Sequence, residues 1–141
     1  MIVLSTIISV IFLFLALLHI YWASGGKIGI NKALPTIDGK FVIVPGKILT
    51  LSVALSLFGI GVISYLLGHI QLSSYAYGEY VVYAGWAVTS LFLVRAIGDF
   101  RLVGIFKKYK DTEFAQYDTK YYVPFCLSVF IIFVLLISAQ A

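Results

Sequence analysis

The sequence predicts an all-α integral membrane protein, a four-helix bundle with both termini outside. Three observations predict it: an apolar composition, four apolar stretches of spanning length, and basic residues confined to two connections. Of the 141 residues, 62% are hydrophobic and 11% charged, with a mean hydropathy of +1.05. Soluble domains run at roughly half apolar and about a quarter charged. A water-soluble domain of about 150 residues buries only roughly 70% of the surface its unfolded chain exposes. The apolar surface left over here needs hydrocarbon as its solvent. The length fits a single domain, residues 1–141.

A helix needs about 20 largely apolar residues to cross the hydrocarbon core. The stretches 3–23, 48–70, 79–99 and 122–139 meet that length. The first, second and fourth have uncharged interiors, whereas the third carries Glu79 and Arg95 near its ends. Ala23, Ser24 and Gly25 are small enough for a signal peptidase, but a signal peptide carries its positive charge ahead of the apolar run. The first basic residue is Lys27, after that run, so the segment is expected to stay as an anchor.

Lys27, Lys32, Lys40 and Lys47 lie in the first connection; Arg95, Arg101, Lys107, Lys108, Lys110 and Lys120 lie at or in the third. The N-terminus, the second connection and the C-terminus carry no Lys or Arg. Basic connections stay in the cytoplasm, which places both termini and the second connection outside. The same topology accounts for the net charge of +4 and the pI near 9.2, which in a soluble domain would raise nucleic acid as a partner. No nucleic acid is expected here. Cys126 is the single cysteine, so an intrachain disulfide is excluded, and no Cys/His spacing suits a metal. Neither a metal nor a cofactor is expected.

The first connection, 25–47, is long and apolar. Asp38-Gly39 between Ile37 and the run Phe41-Val42-Ile43-Val44 is a hairpin signal, because Asp and Gly accept the positive φ of a tight turn. It reads as a short hairpin on the cytoplasmic face, or else as an apolar loop resting in the headgroups. In the second span, Ser52, Ser56 and Gly59 share one face, and Gly61, Ser64 and Gly68 share roughly the opposite one. Small residues let helices approach closely in lipid, so this span should touch neighbours on two sides, within the bundle or across a homo-oligomer contact. Tyr65, Tyr75, Tyr77, Tyr80 and Tyr83, with Trp86 deeper, form an interfacial belt at the outward end, where His69 also lies.

In the third connection Lys107, Lys108 and Lys110 read as headgroup contacts worth about 1 kcal/mol each. Asp111 or Thr112 is placed to cap a short helix from Glu113, and Asp118 or Thr119 to cap the fourth span, with Pro124 in or just past its first turn.

Polar residues that do not suit an apolar bundle gather at one level. His19 and Arg95 each lie four residues before the cytoplasmic end of a span, roughly 6 Å inside at 1.5 Å per residue. Tyr21 and Trp22 follow His19, and Asp99 follows Arg95 by one turn, within ion-pair reach. A carboxylate at a helix C-terminus faces the negative end of the dipole and needs a partner. With Arg101, Asp118 and Tyr121 these residues form the candidate binding cluster. Ionisable groups at this depth point to a functional site; the alternative is a structural cluster that holds the helices in register.

His19-x-Tyr21-Trp22-x-x-Gly25-Gly26, Arg95-Ala96-Ile97-Gly98-Asp99-Phe100-Arg101-x-x-Gly104-x-Phe106-Lys107 and Thr112-x-Phe114-Ala115-x-x-Asp118-Thr119-x-Tyr121-Tyr122-x-Pro124-x-Cys126 resemble a bacterial family of small four-span membrane proteins catalogued as a domain of unknown function. The likeness covers nearly the whole chain, and Arg-x-x-Gly-Asp-Phe-Arg is its most specific part. It implies the four-span fold and a bacterial plasma-membrane location, and brings no activity, substrate or site residue.

The residues favour a protein that binds an anionic amphiphile or lipid in a polar pocket on the cytoplasmic side, since Arg grips phosphate or carboxylate at two points. Were it an enzyme, His19 would be the acid or base, oriented by Asp99 or Tyr21. The alternative is a non-enzymatic accessory or structural protein, in oligomeric form. A small transporter subunit ranks last, because the mid-bilayer positions are almost wholly apolar. Expected partners are membrane lipids, a small amphiphilic ligand and a second copy of the chain.

Overall fold

The computed structural model describes residues 1–140. In chain order, α1 (Ile2–Ala23) is followed by the single turn α2 (Ile30–Ala33) and a hairpin of β1 (Thr36–Ile37) and β2 (Lys40–Phe41). Then come α3 (Lys47–His69), a 3-10 turn at Leu72–Ser74 and α4 (Gly78–Ile97). The chain ends with α5 (Glu113–Tyr117), a π turn (Asp118–Tyr122) and α6 (Val123–Ser138), which form one rod. Among the described residues four helices are long and apolar enough to cross a membrane: α1, α3, α4 and the rod Glu113–Ser138. Phe14, Leu55 and Val94 on the outer faces are exposed, and a surface this apolar asks for lipid around it.

The bundle is two tight pairs, α1 on α3 and α4 on α6. Helix α1 buries Ser5, Ile8, Phe12 and Ala16 at helical spacing. Across from them Ser9 Oγ donates to the Gly61 carbonyl at 2.9 Å, and Ser64 Oγ donates to the Ser5 carbonyl at 3.3 Å. Gly61 and Gly68 permit this approach: a Cβ on Gly61 would stand 3.3 Å from Ser9 O and Phe12 Cβ, and one on Gly68 would overlap Ser5. The pairs meet at three rings, Phe12, Phe92 and Phe125, whose centroids lie 5.6–6.4 Å apart, in the tilted and edge-on arrangements that aromatic quadrupoles favour.

At one end Gln140 Nε2 donates to Leu67 O at 2.7 Å and Ile70 O at 2.8 Å, while its Oε1 accepts from Leu72 N–H at 3.0 Å. The C-terminal segment is thereby sewn to the second connection. The basic first and third connections lie at the other end, where the Tyr122 hydroxyl donates to Lys32 O at 2.8 Å.

The hairpin forms where Asp38-Gly39 predicts it. Asp38 and Gly39 have φ of 50° and 74°, the values of a type I′ turn, and Thr36 pairs with Phe41 and Ile37 with Lys40. Other expectations need correcting. Among the described residues only one small-residue face of α3 meets a partner: Ser52 and Ser56 are exposed and bond back to their own helix, and nothing described lies within 4 Å of a Cβ on Gly59. The third span stops at Ile97, because Gly98 takes φ 92°, so Asp99 is not one helical turn above Arg95. The fourth helix starts at Glu113, capped by Thr112 Oγ1, which accepts from Ala115 N–H at 3.1 Å. Pro124 keeps its expected place in the first turn of α6, but the rod runs on before it, and the π turn there widens the backbone where proline would clash with a preceding carbonyl and supplies no N–H.

Candidate functional site

The Arg95–Lys107 segment folds into a closed loop on the end of α4. Gly98 and Gly104 (φ 87°) cross so closely that a Cβ on either would strike the other's backbone. The crossing lets Ile105 N–H reach Ala96 O at 2.9 Å, which occupies a carbonyl at the helix end. Inside the loop Asp99 Oδ1 accepts from the N–H groups of Arg101, Leu102 and Val103 at 2.9, 2.7 and 3.0 Å. Desolvation, the largest single influence on Asp99, disfavours its charge, but the bonds from Val103, Leu102 and Arg101 together outweigh it and hold its pKa below the ordinary carboxyl value.

The loop presents three donors to one carboxylate from the π turn. Asp118 is fully buried: its Oδ1 accepts from Arg95 Nη2 at 2.7 Å, and its Oδ2 from Gly104 N–H at 2.8 Å and Lys107 Nζ at 3.0 Å. Lys107 Nζ also donates to Gly104 O at 3.0 Å, and the residue is only 3% exposed. Its reading as a headgroup contact is thus corrected: Gly104 turns the chain so that Lys107 points inward. Two cations share one anion, which leaves a surplus of one positive charge. Arg95 keeps 32% of its side chain exposed, yet its Nη1 is buried with no partner among the described residues.

The candidate cluster divides. Arg95 and Asp118 meet; Asp99 closes its own loop instead of pairing with Arg95; and Arg101 is exposed, with no side-chain bond among the described residues. Tyr121 is exposed beside Tyr117 and Lys120, and Tyr21 lies against Gly26. His19 and Trp22 pack edge to face at 4.9 Å and line a separate cavity under the first connection. Gly104 and Lys107, absent from the expected site, belong to the motif that contains Arg95. The interval from Gly98 to Gly104 was the sequence signal for the loop that delivers them.

A family model described as "Protein of unknown function (DUF3995)" matches residues 12–133, most of the chain. No curated protein and no solved structure matches it.

Proposed function

The chain belongs to the DUF3995 family, whose description brings no activity, and from the geometry we propose that this multi-pass membrane protein binds an amphiphile with an anionic head at its basic end. We place that end on the cytoplasmic face of a bacterial plasma membrane. The observation that carries the reading is the unbalanced cluster: Asp118 offsets one of two cations, and Arg95 Nη1 lacks an acceptor among the described residues on a side chain that is itself only part-buried. An unmet buried donor costs about 1–3 kcal/mol, which a ligand oxygen would recover. The planar guanidinium has already committed Nη2 to Asp118, so phosphate or carboxylate oxygen is the natural acceptor for the other nitrogen, with an acyl tail on the apolar helix faces.

Native mass spectrometry of gently solubilised protein tests this. Wild type should retain an anionic lipid, and Arg95→Gln should lose it while staying folded, because Lys107 and Asp118 remain a balanced pair. Equal lipid retention by the two proteins defeats the proposal. A second reading, a non-enzymatic accessory protein that self-associates, is favoured by the unpartnered Ser52–Ser56–Gly59 face of α3. The same spectra report it as subunit number.

A further inference from the structure

Beneath the first connection lies a cavity of about 230 Å³ that shares no lining residue with the Arg95 cluster. His19 and Trp22 of α1 and Thr50 and Val53 of α3 form its walls, and Ala33 and Pro45 close it from the connection. His19 Nδ1 lies 2.8 Å from Leu15 O. A carbonyl only accepts, so Nδ1 carries the proton, and whenever the ring is neutral Nε2 presents a lone pair. No described residue bonds Nε2. Thr50 Oγ1 donates to Gly46 O at 3.1 Å and Trp22 Nε1 donates to Ile28 O at 2.9 Å. The side-chain donors are thus spent, and what is left is a pair of acceptors, His19 Nε2 and Thr50 Oγ1, between apolar and aromatic walls.

This polarity is the opposite of the Arg95 cluster, which offers donors. It selects a ligand that donates a hydrogen bond from an apolar body. Size narrows the class further: an apolar cavity of about 150 Å³ holds benzene, so this one fits a single substituted ring. We infer that the cavity binds the head of a phenolic or quinol-type amphiphile, one hydroxyl-bearing aromatic ring whose O–H donates to His19 Nε2, with its ring against Trp22.

The test uses the full chain in detergent micelles with Trp86→Phe, which leaves Trp22 as the single indole. The probes are 4-hexylphenol and hexylbenzene at equal micellar concentration. 4-Hexylphenol should quench Trp22 saturably and bind roughly tenfold more tightly than hexylbenzene, about the value of one hydrogen bond. His19→Leu should reduce it to the hexylbenzene level, and Ala33→Phe, which fills the cavity from the connection, should abolish binding of both. Equal affinity for the two probes, undiminished phenol binding by His19→Leu, or binding that survives Ala33→Phe overturns the inference. If His19→Leu does not fold, the ¹⁵N shift of His19 Nε2 decides, identified by comparison with His69→Gln. It should move with 4-hexylphenol and not with hexylbenzene, and a shift indifferent to the hydroxyl overturns the inference equally.

Discussion

Asp118 is the residue on which the basic end is organised, because its two oxygens hold α4, the closed loop and the last rod through Arg95, Gly104 and Lys107. Removing one partner of a buried ion pair typically costs about 3–5 kcal/mol, since the other charge is left uncompensated. Asp118→Asn strands two cations and should destabilise by that amount in unfolding equilibria in mixed micelles. Lys107→Met leaves Arg95 and Asp118 balanced one to one and should cost clearly less. Equal losses in the two variants would mean that charge balance is not what Asp118 supplies. At the same scale, His19 and Trp22 were legible as neighbours, since they stand three positions apart on one helix. The Arg95–Asp118 pair spans 23 positions, and no local period announces it.

Among the elements, α3 shows what small residues do and do not specify. Both of its small-residue faces were readable from spacing, yet of these residues only Gly61, Ser64 and Gly68 meet a partner helix among the described residues. Overpacking a close contact costs about 1–3 kcal/mol. Gly68→Ala should destabilise by that much, because its methyl group would overlap Ser5, and Ser5→Gly in the same chain should relieve part of the loss. Gly59→Ala meets open space and should not destabilise the monomer. Thermal unfolding of these variants, the Ser5→Gly single variant and wild type checks the set, and additive losses in the Gly68→Ala/Ser5→Gly double variant would contradict the contact. The rod Glu113–Ser138 was harder to read. Pro124 marks a helix start in a sequence scan, and only the π turn lets the helix run through it.

For the whole molecule, the two ends differ in charge as the distribution of Lys and Arg requires. The basic connections cluster at one end, and Gln140, the second connection and the start of α1 meet at the other. From the positive-inside rule we expect the basic end to face the cytoplasm. In a Cys126→Ser background, a membrane-impermeant maleimide on intact cells should label Ala76→Cys and spare Lys108→Cys until the cells are opened. The reverse pattern would invert the orientation.

Composition and length of apolar run determined by themselves that this chain is a four-helix bundle, and Asp38-Gly39 marked where a hairpin would turn, while the structure decided between that hairpin and an open loop. Those properties depend on the solvent and on neighbours in sequence, and both can be read residue by residue. Tertiary structure alone decided that Lys107 turns inward, that Asp99 serves its own loop, and that the polar residues at one depth fall into separate groups and not one. Each outcome depends on where Gly98 ends a helix and which helices pair, and a buried charge takes the nearest partner in space, whatever lies nearest in the chain.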